Sequence, residues 1–92
     1  MKLRLTDDAI NDLNQIKTYY ARFEGSAETN VINDLNMAFD FILANPQAGL
    51  NINEFGTQRV ISQKYSYVIV YDVINSFIDV LGIYRHQNRD YS

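Results

Sequence analysis

The sequence has no cysteine, a single proline and a single histidine. Without cysteine, the chain can form neither a disulfide framework nor a thiolate metal site. No apolar run approaches the roughly 18 residues that a membrane-spanning helix needs. The N-terminal segment reaches Asp7 and Asp8 without the apolar stretch of a signal peptide. These absences predict a cytoplasmic protein with no membrane partner, no metal and no cofactor.

Positive charge is scarce as well. Eight lysines and arginines stand against eleven acids, which gives a formal net charge of −3 and a pI near 4.8. Proteins that bind nucleic acid through its backbone are usually basic, because contacts to phosphate supply most of their affinity. The chain as a whole lacks that property, although Arg59, Arg85 and Arg89 leave a local basic face possible.

Apolar and aromatic residues are abundant, at 47% and 13% of the chain. That composition is typical of a packed protein and excludes a disordered one. A length of 92 residues predicts a single domain over residues 1–92, with one hydrophobic core.

The strongest β-strand pattern runs from residue 65 to residue 84. Two apolar runs rich in β-branched and aromatic residues are separated by Asn75-Ser76, which predicts a β-hairpin. Residues 58–62 predict a shorter strand, joined to the hairpin by a tight turn at 63–64. Residues 2–5 alternate between polar and apolar and predict a half-buried strand.

Two amphipathic helices are predicted between the first and second strands. Thr6 is a good N-cap for the first helix, and Gly25 is expected to end it. Ser26 is expected to cap the second helix, which stops at Asn45-Pro46 because proline disfavours helix in the residue before it. The apolar positions at helical spacing are Ile10, Leu13, Ile16, Tyr20 and Phe23, then Val31 or Ile32, Leu35, Phe39, Ile42 and Leu43.

Residues 47–56 are predicted to form a loop in which Gly49 and Gly56 permit positive φ. The resulting order is strand, helix, helix, strand, strand, strand. This order predicts an α+β domain with both helices packed against one sheet.

Several short motifs follow one another in the order of a known protein family. They are A-x-x-D-L-x-x-I (Ala9, Asp12, Leu13, Ile16), N-P-x-x-G (Asn45, Pro46, Gly49), G-x-x-R (Gly56, Arg59), Y-x-I-x-Y (Tyr67, Ile69, Tyr71) and I-x-R-H-x-x-R (Ile83, Arg85, His86, Arg89). The ordered set covers nearly the whole chain and resembles the RelE/ParE superfamily of toxins from type II toxin–antitoxin systems. The resemblance implies a short N-terminal strand and an antiparallel helical hairpin packed on a small antiparallel sheet (β-α-α-β-β-β). It also implies a cognate antitoxin, encoded beside the toxin, and a toxin–antitoxin hetero-oligomer.

The superfamily divides by target. RelE-like members are ribosome-dependent mRNA endonucleases, whereas ParE-like members inhibit DNA gyrase by protein–protein contact and are not themselves enzymes. The endonuclease branch usually carries an arginine three residues before the tyrosine that closes the Y-x-I-x-Y strand, and this chain has Val68 there. Losing one group that stabilises charge can cost about 10²–10³ in rate. The resemblance therefore favours the ParE-like branch, with the RelE-like endonuclease as the alternative.

The densest polar and aromatic cluster follows the predicted hairpin. For a ParE-like toxin, we expect contact with gyrase or antitoxin through Arg59, Arg85, His86, Arg89 and Tyr91. For an endonuclease acting on the ribosome and mRNA, the catalytic set would be Glu54, Arg59, Arg85, His86, Arg89 and Tyr91. His86 can titrate near neutral pH, but on an extended strand it would point away from the face that carries Arg85.

Structural roles are open alternatives for the same residues. His86 and Arg89 can close the end of the sheet, with Arg89 next to Asp90, and Arg59 can pair with a helix acid such as Asp40. Asp72 and Asp79 flank a turn, and no third ligand at suitable spacing makes them a metal site. The tyrosines form either an aromatic contact surface or sheet packing: Tyr65, Tyr67, Tyr71, Tyr84 and Tyr91.

Overall fold

The computed structural model describes residues 1–85 and contains the predicted helical hairpin and sheet. The strands run in the order β1-β5-β4-β3-β2 across one sheet. β1 is parallel to β5, and every other neighbouring pair is antiparallel. The predicted α+β architecture is confirmed. Its elements are β1 (Lys2–Leu5), α1 (Asp7–Tyr20), α2 (Ala27–Ala44), β2 (Leu50–Asn51), β3 (Gln58–Ile61), β4 (Tyr67–Ile74) and β5 (Phe77–Arg85).

The two helices cover one face of the sheet, which we call the helix-side face. Side chains alternate between the two faces of a strand, and Tyr67, Ile69 and Tyr71 of β4 turn toward the helices. Other members of this core are Ala9 and Ile16 from α1, Val31, Leu35, Ala38 and Ile42 from α2, and Ile78, Val80 and Ile83 from β5. The side chains that alternate with these along β4, such as Val68 and Val70, lie on the opposite face, which has no helix.

The boundaries of the helices differ from the prediction at the helical hairpin. Thr6 caps α1 as expected, since its Oγ1 accepts a hydrogen bond from the N–H of Ala9 at 3.3 Å. However, α1 ends at Tyr20 rather than at Gly25, because the chain tightens there into short-range bonds from Arg22 N–H to the Tyr19 carbonyl and from Phe23 N–H to the Tyr20 carbonyl. Phe23 therefore lies outside the helix and is half exposed.

The second helix begins and ends near the predicted residues. Ser26 occupies the N-cap position, but its side chain makes no capping hydrogen bond to the backbone. Its Oγ instead accepts a hydrogen bond from the side chain of Asn30. The position of the cap was therefore predicted correctly, but the expected hydrogen bond from the backbone to the Ser26 side chain is not formed. The helix stops at Ala44, before Asn45-Pro46, as expected.

The predicted loop 47–56 contains an additional short strand. Leu50 pairs with Arg59 and Asn51 with Gln58, which makes β2 a two-residue edge strand. Gly56 has the expected positive φ of 87°. Gly49 does not have positive φ. Glycine is needed there instead because a Cβ at this position would collide with the side chain of Tyr71 on β4.

The main hairpin is confirmed, with its turn at Asn75-Ser76 and Asn75 in the left-handed region at φ 55°. β4 begins at Tyr67, two residues later than predicted, because Ser66 also has a positive φ. In the part of the chain that the structure describes, no helix is long and apolar enough to cross a membrane.

Candidate functional site

Arg59 lies on the face of the sheet that has no helix. It pairs across the sheet with Val70 of β4, whose neighbours Ile69 and Tyr71 face the core. Its Nη1 is buried and has no hydrogen-bond partner among residues 1–85. The ion pair considered for Arg59 and Asp40 is not formed, since Asp40 is exposed on α2 and the ion pair found in the described residues joins Arg4 to Asp79. Arg59 is therefore a partly buried cation without a structural partner in the described chain.

Arg85 lies on the other face of the sheet. It ends β5 opposite Tyr67, which turns toward the helices. Its guanidinium carbon is 5.7 Å from the centre of the Tyr19 ring of α1, and that of Arg22 is 5.5 Å from the same ring. Such distances allow a cation–π attraction. The structure thus places Arg59 and Arg85 on opposite faces, so they do not line one pocket together.

Of the other residues of the predicted cluster, Glu54 is the one within the described chain. Glu54 is exposed in the loop between β2 and β3. His86, Arg89 and Tyr91, together with the suggested neighbour Asp90, lie outside the described residues. The prediction that the cluster forms one contact surface therefore stays a prediction.

Position 68 lies at the centre of a row of three cross-strand neighbours. Val68 pairs with Ile61 of β3 on one side and with Tyr84 of β5 on the other. It is only 1% exposed, although it lies on the face without helices. The next residue of β5 on this face is Gly82, and the ring of Tyr84 folds back over it so closely that a Cβ on Gly82 would collide with the ring. This part of the sheet therefore presents a packed apolar and aromatic surface.

The two aspartates of the main hairpin are both used within the fold. They face each other across β4 and β5. Asp79 accepts hydrogen bonds from Arg4 at 2.7 and 3.0 Å, and Arg4 also stacks on Phe77 at 3.7 Å. Asp72 accepts a hydrogen bond from the Thr57 hydroxyl at 2.6 Å. Within residues 1–85 no group of acidic or histidine side chains is arranged to hold a metal.

Of the two roles considered for the tyrosines, packing within the fold applies to most of them. Tyr67 and Tyr71 are buried in the core, and burial raises the pKa of both hydroxyls, so both stay protonated at neutral pH. Tyr65 packs edge-on against Tyr20 at 5.5 Å. Of the tyrosines considered, Tyr84 is the one that is exposed within the described chain.

Two helix carboxylates that the sequence analysis did not assign hold the ends of strands. Asp34 is buried in α2 and accepts the N–H groups of Lys64 at 3.0 Å and Tyr65 at 2.9 Å, which closes the turn between β3 and β4. Asp12 of α1 accepts the N–H of Ile83 at 3.0 Å. The sequence did contain a signal for Asp34. It is a carboxylate on the apolar face of the second helix, three residues after Val31.

Comparisons with known proteins give a family match and a similar fold. Residues 3–91 match the family described as ParE toxin of type II toxin-antitoxin system, parDE. A solved structure titled "Chromosomal ParDE TA system from P. aeruginosa" is similar in fold, with a TM-score of 0.79 and 22% identity. The alignment covers 95% of this chain and 97% of that one. No curated protein sequence matches significantly.

The fold and the family match together define the class, a small toxin from a type II toxin–antitoxin system. Within that class, the chain belongs to the ParE toxin family.

Proposed function

We propose that this protein arrests growth by inhibiting DNA gyrase through protein–protein contact, and that a cognate antitoxin neutralises it in the cytoplasm. The observation that carries the proposal is the placement of Val68. The residue is packed between Ile61 and Tyr84 at the position where the endonuclease branch usually has an arginine.

An endonuclease would need cations around the scissile phosphate. Cleavage of RNA also needs a group to take the 2′-hydroxyl proton and another to protonate the leaving oxygen. Arg59 is the charged side chain near Val68 on this face, and Arg85 lies on the other face. The carboxylate Glu54 is in a separate loop. The described residues thus supply one guanidinium where several groups would have to converge, which supports a toxin that acts by contact.

The family supports the partner half of the proposal. The similar solved structure is titled as a ParDE system, and ParE toxins are paired with an antitoxin. We expect the toxin and antitoxin to form a hetero-oligomer in which the antitoxin blocks the surface that meets gyrase.

A paired assay with purified, antitoxin-free protein tests the function. One reaction measures inhibition of gyrase supercoiling and trapping of cleaved DNA, and the other measures cutting of mRNA on translating ribosomes. We expect gyrase inhibition without mRNA cleavage. Ribosome-dependent cleavage without an effect on gyrase would overturn the proposal and favour the RelE-like alternative. Silence in both reactions would also contradict it and would indicate an inactive family member.

A further inference from the structure

Arg59 lies in a row of residues that pair with one another across the face of the sheet without helices. The row runs from Leu50 on β2 through Arg59 and Val70 to Gly82 on β5. Leu50 is exposed at one end, and the Tyr84 ring folds over Gly82 at the other. Apolar and aromatic groups therefore flank Arg59 along the row.

One nitrogen of the Arg59 guanidinium, Nη1, is buried and has no hydrogen-bond partner among residues 1–85. Folding has removed this charged donor from water without giving it an acceptor, which is costly and therefore rare in native proteins. Because Nη1 makes no hydrogen bond, turning the side chain outward breaks none and lets the donor meet an acceptor. The cation is therefore available to an acceptor from outside the described chain.

The two aspartates on this face do not neutralise Arg59. Asp79 accepts two hydrogen bonds from Arg4, and Asp72 accepts one from the Thr57 hydroxyl. The salt bridge found within residues 1–85 joins Arg4 to Asp79 and leaves Arg59 out. The charge of Arg59 is therefore complementary to an anionic group brought by a partner.

The number of unpaired cations distinguishes between the possible kinds of anion. A nucleic-acid backbone is bound by several lysines or arginines that neutralise successive phosphates. On this face Arg4 is already bound to Asp79, and Lys2 lies on β1, three strands away from Arg59. A single arginine surrounded by apolar groups is instead typical of the centre of a protein interface, where it can form two parallel hydrogen bonds with one carboxylate.

We infer that Arg59 binds a carboxylate of DNA gyrase, an inference that rests on the function proposed above. The carboxylate belongs to an aspartate or glutamate that enters the face without helices and accepts two hydrogen bonds from the guanidinium. Leu50, Val70 and the Tyr84 ring surround the pair and exclude water from it, and hydrogen bonds to charged groups are stronger where water is excluded.

Half-inhibition of gyrase supercoiling by the antitoxin-free protein measures this contact. We expect Arg59→Met to raise the required toxin concentration about tenfold or more, as for a central arginine of an interface. Lys2→Met is the matched control, because Lys2 is an exposed cation on the same face, and it should change the value by less than about twofold. An unchanged value for folded Arg59→Met would overturn the inference while the gyrase assignment stands. A wild-type protein that does not inhibit gyrase would instead overturn the proposed function, and this inference with it.

Zero-length cross-linking identifies the group that Arg59 contacts. A carbodiimide joins an amine to a carboxylate that touches it and leaves a guanidinium unreacted, so Arg59→Lys places a reactive amine at the site. Parallel reactions contain gyrase or the antitoxin from the adjacent reading frame. We expect Arg59→Lys to form a cross-link from position 59 to an aspartate or glutamate of gyrase, identified by mass spectrometry.

The other outcomes of the cross-linking are equally decisive. A cross-link from position 59 only to the antitoxin, to a second copy or to a carboxylate of the toxin itself would overturn the inference. The absence of any cross-link from a variant that still inhibits gyrase would overturn it as well. Loss of inhibition by folded Arg59→Lys, with Lys2→Met unaffected, would support the contact and show that it needs the paired donors of a guanidinium, which lysine lacks.

Discussion

The hydroxyl of Tyr71 occupies the space that a side chain at position 49 would need. A Cβ on Gly49 would collide with this hydroxyl and lie 3.0 Å from both the Arg59 carbonyl oxygen and the Gln58 Cβ. The hydroxyl lies 3.1 Å from the Pro46 carbonyl oxygen and 3.2 Å from Gln58 Oε1, two acceptors that share its single proton. The glycine of the N-P-x-x-G motif thus lets the end of α2 approach the sheet.

Gly49→Ala should therefore destabilise the protein by about 1–3 kcal/mol, the usual cost of overpacking. Removing the hydroxyl with Tyr71→Phe should cost about 1 kcal/mol, because Pro46 and Gln58 lose a donor. In the double variant, the alanine should cost less than it does alone, since one of the atoms it meets is gone. Urea unfolding of the four proteins measures the coupling.

Gly25→Ala provides the control for that cycle. Gly25 has a φ of 81° and open space around it, so its substitution strains the backbone without meeting a side chain. Its cost should be the same in the wild-type protein and in the Tyr71→Phe variant. Strictly additive effects of Gly49→Ala and Tyr71→Phe would show that the hydroxyl does not exclude the side chain.

Asp34 should link stability to pH. Burial alone would raise the pKa of this carboxyl, but the N–H donors of Tyr65 and Lys64 and the Ser62 hydroxyl outweigh it, and the pKa lies below its usual value. A group with a lowered folded-state pKa stabilises the protein above its unfolded pKa, about 3.9 for aspartate, and loses that contribution as pH falls through the folded value. Asp34→Asn should cost about 1–3 kcal/mol at pH 7 and reduce the loss of stability on acidification. Urea unfolding at pH 7 and below pH 4 measures both effects.

Asp40→Asn is the matched control for this prediction, because Asp40 is exposed on the same helix. Its effect at pH 7 should stay within about 0.5 kcal/mol, as for other surface substitutions. If both asparagine variants change stability equally at the two pH values, Asp34 does not hold the turn between β3 and β4.

Asp12→Ala should loosen the open edge of β5. The substitution leaves the Ile83 N–H without its carboxylate partner, at a cost of about 1–3 kcal/mol for an unsatisfied backbone donor. Amide exchange at Ile83 should accelerate, whereas Asn11→Ala, at an exposed position of the same helix, should leave it unchanged. Unaltered exchange at Ile83 in the alanine variant would contradict the assigned role of Asp12.

The sequence was sufficient for the parts of the fold that depend on periodicity. The spacing of Ile16, Val31 and Leu35 and the alternation through Tyr67, Ile69 and Tyr71 report which residues are buried, and all six belong to the core. The end of α1 was predicted wrongly because Phe23 continues the helical spacing although the backbone has already left the helix. A two-residue strand such as β2 has no periodicity to detect, since it exists only through its pairing with β3.

The arrangement of the candidate site could be predicted less well, because it depends on contacts between residues that are distant in sequence. Arg59 and Arg85 belong to two motifs of the same ordered set, but the face on which each lies depends on strand register, which motifs do not specify. The role of Gly49 was also misassigned, because the collision involves Tyr71, a residue distant in sequence. Capping of strand ends by Asp12 and Asp34 likewise depends on tertiary contacts.

Arg59→Met should separate stability from toxicity. The buried Nη1 has no hydrogen-bond partner in residues 1–85, and such a group costs about 1–3 kcal/mol when left unsatisfied. Replacement by an apolar side chain of similar length should therefore leave the free energy of unfolding unchanged or raise it. If Arg59 contacts the target, the same variant should arrest growth less. A clear loss of stability in urea unfolding would instead indicate that Arg59 has a structural partner.

Arg85→Ala combined with Arg89→Ala should relieve growth arrest while folding and antitoxin binding persist. Arg85 lies at the end of β5 against the Tyr19 ring, and arginine is among the residues that most often dominate a protein interface. Loss of such a contact should raise the toxin concentration needed for half-inhibition of gyrase supercoiling about tenfold or more. Lys17→Ala, at an exposed cation on α1, should leave that concentration within about twofold. Because Arg59 is on the other face, adding Arg59→Met tests whether gyrase contacts one face or both. Full toxicity of the folded Arg85→Ala/Arg89→Ala variant would remove this end of the sheet from the target surface.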